Sequence, residues 1–296
     1  MRAARVTELG GSPQPVEVEG GGAFEVAAVA LNPVDLAIAS GKWYGGHPPL
    51  PYAPGCEAVA HRDGQRFYLF GDGHGTTKDG FLVERVDFPD DAAIPLPADL
   101  DDTAAVAAGI AGLAGYYPVT RVARVTANDR VLVLAATGAV GRVALQAAKV
   151  AGARRVVAAG RDRAKLERTL ELGADAAVGV DEDSDEEFDV VIDPLWGAPL
   201  VRALNAAAPN ARIAQIGASA GPEATIASGT VRGKQLRILG HTNFALARDE
   251  LREAYLELIG HVAGGRIRIE LETFPLERVG DAWAAQREGR KAVVAL

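Results

Sequence analysis

The stretch Val131-Leu132-Val133-Leu134-Ala135-Ala136-Thr137-Gly138-Ala139-Val140-Gly141 constrains the fold of this chain more than any other. An apolar run without a single charge leads into Ala136-x-Gly138-x-x-Gly141, and a helix-forming segment over residues 139–150 follows, closed by Gly152. A buried strand that turns tightly into a helix opens a βαβ unit. Gly138 allows a backbone to approach a ligand, Gly141 allows helix and strand to pack closely, and Ala136 stands where a first glycine is usual. The turn Thr137, Gly138, Ala139, Val140 and Gly141 therefore presents N–H donors at the positive end of a helix, suited to a pyrophosphate. The pattern alone is weak. Its place after a strand, before a helix and ahead of a second strand over 156–159 makes it a dinucleotide signature.

The same alternation continues. Residues 130–135, 156–159, 188–192, 212–216 and 236–239 read as strands, and 139–150, 163–172 and 199–208 as helices, the second stopped by Gly173. This spacing predicts βαβ units and a parallel sheet. Before residue 100 the texture differs: Gly20-Gly21-Gly22, Pro48-Pro49 and Gly71-Asp72-Gly73-His74-Gly75 separate short β-prone runs, clearest at 26–31 and 65–70. The 71–75 cluster is expected to be a mobile loop and not a phosphate cradle, because no helix pattern follows it. Asp101-Asp102-Thr103 caps a small-residue helix. Beyond 245, a helix over 245–262, an extended piece over 266–274 and a helix over 276–288 follow. The acidic run 181–187 reads as a solvated loop with no binding role.

Composition narrows the function. At 296 residues the chain has the length of about two domains. With 48% hydrophobic and 24% charged residues it can bury a core, which excludes a disordered chain. A net charge of −8 argues against a nucleic-acid surface, which needs a clustered basic face. Cys56 is the single cysteine, so no intrachain disulfide and no multi-thiolate zinc site is available. No apolar run reaches the roughly 18 residues of a membrane span, and Met1-Arg2-Ala3-Ala4-Arg5 leads into no apolar segment of a signal peptide. A cytoplasmic protein is expected.

The end of the second strand selects the cofactor. A site for NAD places an Asp or Glu there to accept the ribose hydroxyls. This chain has Gly160, then Arg161-Asp162-Arg163-Ala164-Lys165. Glycine removes the carboxylate that would repel a 2′-phosphate, Arg161 supplies a planar donor, and Lys165 adds a point charge one turn on. NADPH is the expected cofactor. A methyltransferase also opens with a glycine-rich turn, but it needs the ribose-binding acid that Gly160 replaces. Ile216 and Gly217, at the end of the run 212–216, complete the expected cofactor set.

Four segments then fall into one pattern: Leu31-Asn32-Pro33-Val34-Asp35, Pro54-Gly55-Cys56-Glu57, the turn from Ala136 to Gly141, and Val231-Arg232-Gly233-Lys234. Together they resemble the medium-chain dehydrogenase/reductase superfamily, and the chain is most similar to its zinc-free quinone oxidoreductase branch, over nearly the whole length. The resemblance implies an α/β fold in which a Rossmann doubly wound parallel sheet is inserted in a chaperonin-like β-rich substrate domain. Residues 1–115 and 246–296 would form the substrate domain and 116–245 the NADPH-binding domain. The early part is shorter than usual for the family, so trimmed loops are expected. Where zinc-dependent members hold metal ligands, this chain has Asn32, Cys56 and the apolar stretch 109–111. A catalytic zinc ordinarily takes three protein ligands, so no metal is expected. Cys56 is expected to be a small buried residue.

Without a metal, another donor must meet the oxyanion that hydride addition creates. In the quinone reductases an Asn and a Tyr of the early domain flank the nicotinamide. The resemblance assigns these places to Asn32 and, through Ser40-Gly41-Lys42-Trp43-Tyr44, to Tyr44, with Trp43 and Tyr52 as alternatives. The five histidines form no readable triad. The expected activity is zinc-independent, NADPH-dependent reduction of a quinone or of the activated C=C of an enone. A carbonyl reductase with the same cofactor, and an NADPH-binding protein without redox turnover (a sensor or tailoring scaffold), are the alternatives. The expected partner is a small molecule, with a homodimer formed by pairing strand 236–239 across a two-fold axis.

Overall fold

Short strands broken by glycine and proline build the first part of the chain. In the computed structural model, which describes residues 1–97 and 100–296, β1 (Arg2–Arg5) and β2 (Gln14–Glu17) form an antiparallel pair. β3 (Phe24–Ala30), β4 (Glu57–Arg62), β5 (Gln65–Phe70), β6 (Arg85–Val86) and β7 (Ile94–Pro95) belong to a larger sheet. Helix α1 (Pro33–Ala39) leaves β3 through Asn32, with Pro33 at its first position, where the missing N–H costs nothing. Helix α2 (Asp102–Ala107) starts at Asp101, whose carboxylate accepts from the N–H groups of Thr103 and Ala104.

The chain forms two compact units. One comprises Met1–Ile110, Arg248–Ile259 and Glu270–Leu296, and the other Ala111–Ala247 and Gly260–Ile269. The second unit begins with α3 (Leu113–Tyr117), then carries β8 (Arg130–Val133), α4 (Ala139–Val150), β9 (Arg155–Gly160), α5 (Arg163–Leu170), β10 (Ala176–Gly179), β11 (Phe188–Asp193), α6 (Gly197–Asn205), β12 (Ala207–Gln215), α7 (Ser228–Gly233) and β13 (Arg237–Gly240). Its six strands are all parallel, in the order β10-β9-β8-β11-β12-β13. That is the Rossmann order, and the crossover reverses between β8 and β11, where open α/β sheets bind ligands. Val131, Val133, Val156, Val190, Val191 and Ile192 are wholly buried, as strands covered on both faces require.

The chain returns to the first unit at Arg248. Helix α8 (Arg248–Ala263), whose last residues from Gly260 belong to the second unit, is followed by β14 (Glu272–Pro275), α9 (Val279–Arg287) and β15 (Ala292–Ala295). β15 pairs antiparallel with β3 and parallel with β14, giving a seven-stranded mixed sheet in the order β14-β15-β3-β4-β5-β7, with β6 also on β3. The largest buried side chains of this unit are Trp283, Tyr52, Tyr68, Tyr255, Phe24 and Phe81.

Several local expectations shift. The helix expected over 199–208 is α6, Gly197–Asn205, because β12 already begins at Ala207. The helix expected over 276–288 opens as a 3-10 turn, Leu276–Arg278, before α9. The 71–75 cluster, expected as a mobile loop, is a packed turn: Gly71, Gly73 and Gly75 take positive φ, and buried His74 stacks on Phe81 at 4.6 Å between ring centroids. The acidic run is not merely solvated: Arg155 pairs with Glu186, Arg163 with Glu182 and Arg202 with Asp183, drawing β9, α5 and α6 to one loop.

Candidate functional site

In the Rossmann unit the site forms at the carboxyl ends of β8 and β9. Leu134 still donates its N–H to Ile192 O, but Ala135 enters the left-handed region at φ 49° and ends the strand. The tight turn is thus made at Ala135 and not at Ala136, the position aligned with a first glycine. A side chain at Gly138 would meet only Ala135 O at 3.5 Å, so the turn is open there. A side chain at Gly141 would lie 2.3 Å from Ala135 O, so this glycine lets α4 pack onto β8. Gly138 is the N-cap of α4, and no side chain caps that helix. The first N–H groups of a helix have no intrahelical partner, and here they point into an open turn. These residues fit a bound pyrophosphate.

Gly160 closes β9 and is buried; a Cβ there would press on Leu166 and on Thr137, both at 3.2 Å. The absence of a side chain therefore also serves the packing of Thr137 against α5. Arg161 is exposed and has no ion-pair partner among the described residues. Asp162, the acid between the two arginines, is used as the α5 N-cap, accepting from Lys165 N at 3.1 Å, with Lys165 Nζ 3.9 Å away. Arg163 donates to Glu182 at 2.7 Å. On the far side, Ile216 donates its N–H to Asp193 O, and a side chain at Gly217 would lie 2.8 Å from Pro194 O. Gly217 thus allows two loops to approach.

One buried acid in this unit escapes sequence reasoning. Asp193, at the end of β11, is fully buried. Its Oδ1 accepts from the N–H groups of Leu195 (2.8 Å) and Trp196 (2.9 Å), and its Oδ2 has no partner. Burial pushes its carboxyl above the usual range, against the two N–H donors.

The first unit carries a buried polar network. Glu57 is inaccessible and accepts from Asn32 Nδ2 (2.7 Å), Tyr68 OH (2.8 Å) and Ile110 N (2.5 Å). The Ile110 N–H is available because Gly109 departs from helical geometry, with ψ −112°. A Cβ on Gly109 would come within 1.9 Å of Glu57 Oε2. Lys291 donates to Asn32 Oδ1 (2.7 Å) and Leu31 O (3.1 Å), and its Nζ lies 3.6 Å from Glu57. Burial pushes the Glu57 carboxyl up and the Lys291 ammonium down, each opposed by the other's charge. Asp35 accepts from Asn32 N (2.8 Å) and Cys56 N (3.0 Å). The Cys56 thiol is buried beside Asp35, and burial drives it well above the usual thiol range, away from thiolate chemistry.

The expected catalytic pair is not brought together. Asn32 is fully buried, and its amide donates to Ala30 O and Glu57 while its oxygen accepts from Lys291. That corrects its expected role: no amide hydrogen is left for a substrate. Tyr44 is 85% exposed on the turn after α1, its ring 5.2 Å from that of Trp43. Trp43 folds over Gly45 against the core of the unit. Tyr52 is buried, with its hydroxyl unpartnered and its pKa pushed up by burial.

Residues 139–260 match the zinc-binding dehydrogenase family. A phenolphthiocerol/phthiocerol polyketide synthase polypeptide of Mycobacterium tuberculosis is 32% identical over 228 residues, covering 70% of this chain but 10% of that protein. The chain thus spans about a tenth of the length of that relative. Quinone oxidoreductase of Lama guanicoe is 28% identical over 308 residues, covering 95% of this chain and 92% of that one. The quinone oxidoreductase from Thermus thermophilus, solved alone and with NADPH, superposes with a TM-score of 0.84 at 28% identity, covering 100% of both chains.

Proposed function

The chain belongs to the medium-chain dehydrogenase/reductase superfamily and is quinone oxidoreductase-like, and from that premise we propose an NADPH-dependent, zinc-independent reductase of a quinone or of the activated C=C of an enone. The observation that carries the reading is the uncapped α4 N-terminus at an open Gly138, joined to a strand end where Gly160 leads into Arg161, which has no ion-pair partner among the described residues. The N–H groups of Ala139, Val140 and Gly141 bind the pyrophosphate in the turn made by Thr137 and Gly138, where the Gly138 N–H closes the turn on Ala135 O. Arg161 offers its guanidinium to the 2′-phosphate and Lys165 a second positive charge. Ile216 and Gly217, just past the carboxyl end of β12, complete the proposed cofactor set.

When bound there, NADPH would supply the hydride. The Tyr44 hydroxyl donates to the substrate oxygen as negative charge grows there. Asn32 acts as a positioning residue, tying Glu57 to Lys291. Zinc independence rests on the donor chemistry: of the positions that hold metal ligands in zinc enzymes, Asn32 spends its amide on Ala30, Glu57 and Lys291, the stretch 109–111 is apolar, and Cys56 leaves a single thiol where three protein ligands are usual. The protein forms a homodimer through the free edge of β13.

The test is a side-by-side assay of a quinone, an enone and a simple ketone with NADPH, before and after treatment with a chelator. Turnover of quinone or enone that survives the chelator supports the reading. Turnover of the ketone alone makes the protein a carbonyl reductase, and activity lost to chelator and restored by zinc overturns the metal-free mechanism.

A further inference from the structure

The carboxylate of Glu182 stands at the strand ends where the 2′-phosphate is expected, and the cofactor reading does not use it. β9 and β10 pair in parallel up to Gly160 opposite Gly179, and Val180 donates its N–H to Gly160 O at 2.9 Å. The chain then turns back. Glu182 N donates to Gly179 O at 3.0 Å, Glu182 Oε2 accepts from Gly179 N at 3.1 Å, and Glu182 Oε1 accepts from Arg163 Nη2 at 2.7 Å. A Cβ on Gly179 would lie 2.8 Å from the Glu182 carboxyl carbon, so the glycine leaves the space in which the side chain folds over the strand end.

The charges at this corner are therefore not equivalent. Arg161 has no ion-pair partner among the described residues, whereas Arg163, two positions on, is paired with Glu182, and Lys165 lies near Asp162. Three cations and two carboxylates leave a single net positive charge to meet a 2′-phosphate of charge near −2. We propose that Glu182 is a specificity-determining residue that competes with the 2′-phosphate for Arg163 and thereby limits the preference for NADPH over NADH. The inference rests on the NADPH reading and deepens it. A bound 2′-phosphate must either leave Arg163 to Glu182 or displace that carboxylate, and its repulsion from the carboxylate falls on NADPH alone.

The variant Glu182→Gln keeps a carbonyl oxygen for the Gly179 N–H and removes the charge. Calorimetric titration of wild type and variant with NADPH, NADH and 2′,5′-ADP reads the effect without turnover. In Glu182→Gln, NADPH and 2′,5′-ADP are expected to bind about tenfold more tightly, the low end for a charge-assisted hydrogen bond, and NADH no more tightly than before. The gain shrinks as ionic strength rises, because the corner is exposed. It disappears in the background Arg163→Ala if Glu182 acts through Arg163. An NADPH-to-NADH affinity ratio unchanged within about twofold overturns the inference while leaving the NADPH reading intact. Loss of NADH binding without a gain for NADPH also overturns it, since Glu182 would then be the ribose acceptor. Wild type that prefers NADH and ignores 2′,5′-ADP overturns the NADPH reading itself.

Discussion

At the scale of single residues, we propose that the strand end at Gly160 and Arg161 carries the cofactor preference. Arg161→Ala is expected to raise the KM for NADPH at least about tenfold and to leave that for NADH nearly unchanged, because a charge-assisted hydrogen bond contributes about 1.5–3 kcal/mol. Steady-state kinetics with both cofactors checks it. Replacing Gly160 with an acid is a poor complementary test: the Cβ alone would meet Leu166 and Thr137 at 3.2 Å, so altered packing would be confounded with altered charge. Tyr44→Phe is expected to lower turnover by less than the about 10²-fold that a preorganised, water-excluded donor contributes, because its hydroxyl is exposed, while NADPH affinity holds. Unchanged turnover would move the donor role to solvent or to the neighbouring Trp43. Arg161 was singled out by its place after a strand end, and Tyr44 by the family resemblance alone. Sequence reading could not reach Glu182 or Asp193, whose roles come from a folded-back side chain and from burial.

At the scale of elements, two buried polar groups set how firmly loops are held. Asp193 builds the β11–α6 turn with Oδ1 and leaves Oδ2 unpartnered. Its carboxyl is raised in the folded state, so it favours folding while protonated, and that contribution is lost as pH rises through the folded pKa. Asp193→Asn keeps the acceptor for Leu195 and Trp196 and removes the charge. It is expected to gain about 1–2 kcal/mol over wild type in urea unfolding at pH 8 and to lose that advantage near pH 4. A pH-independent difference would place the effect elsewhere. In the other unit, Lys291→Met leaves the Glu57 carboxylate buried without its cation. A loss of about 3–5 kcal/mol is expected, with partial recovery in the double variant that adds Glu57→Gln, again by urea unfolding. Glu57 was visible in the Pro54-Gly55-Cys56-Glu57 motif. Lys291 was not, because β15 meets β3 only through long-range pairing.

At the scale of the whole molecule, β13 ends the parallel sheet with its outer edge unpaired by any strand among the described residues. Ile238 is 36% exposed on it, and an open edge of this kind invites pairing. Light scattering is expected to report a dimer at micromolar concentration, and Ile238→Lys to shift it toward monomer. A wild-type monomer under those conditions sinks the proposal. No helix among the described residues is long and apolar enough to cross a membrane.

What the sequence by itself determined was the parallel sheet and the glycine-rich turn from β8 into α4. Both are written locally, in predominantly apolar strand runs, in glycines at fixed spacing and in left-handed stops such as Gly152 and Gly173. It located Arg161 for the same reason, since the residue directly follows a strand end. The tertiary structure decided the rest. The Asn32–Glu57–Lys291 network joins residues up to 259 positions apart, and only the folded sheet brings those charges into one solvent-free volume where each needs the others. The same holds for the acidic run 181–187. Its composition predicts hydration, but the turn at Gly179 delivers Glu182 to Arg163, because a side chain's partner is set by where the backbone places it and not by its own charge.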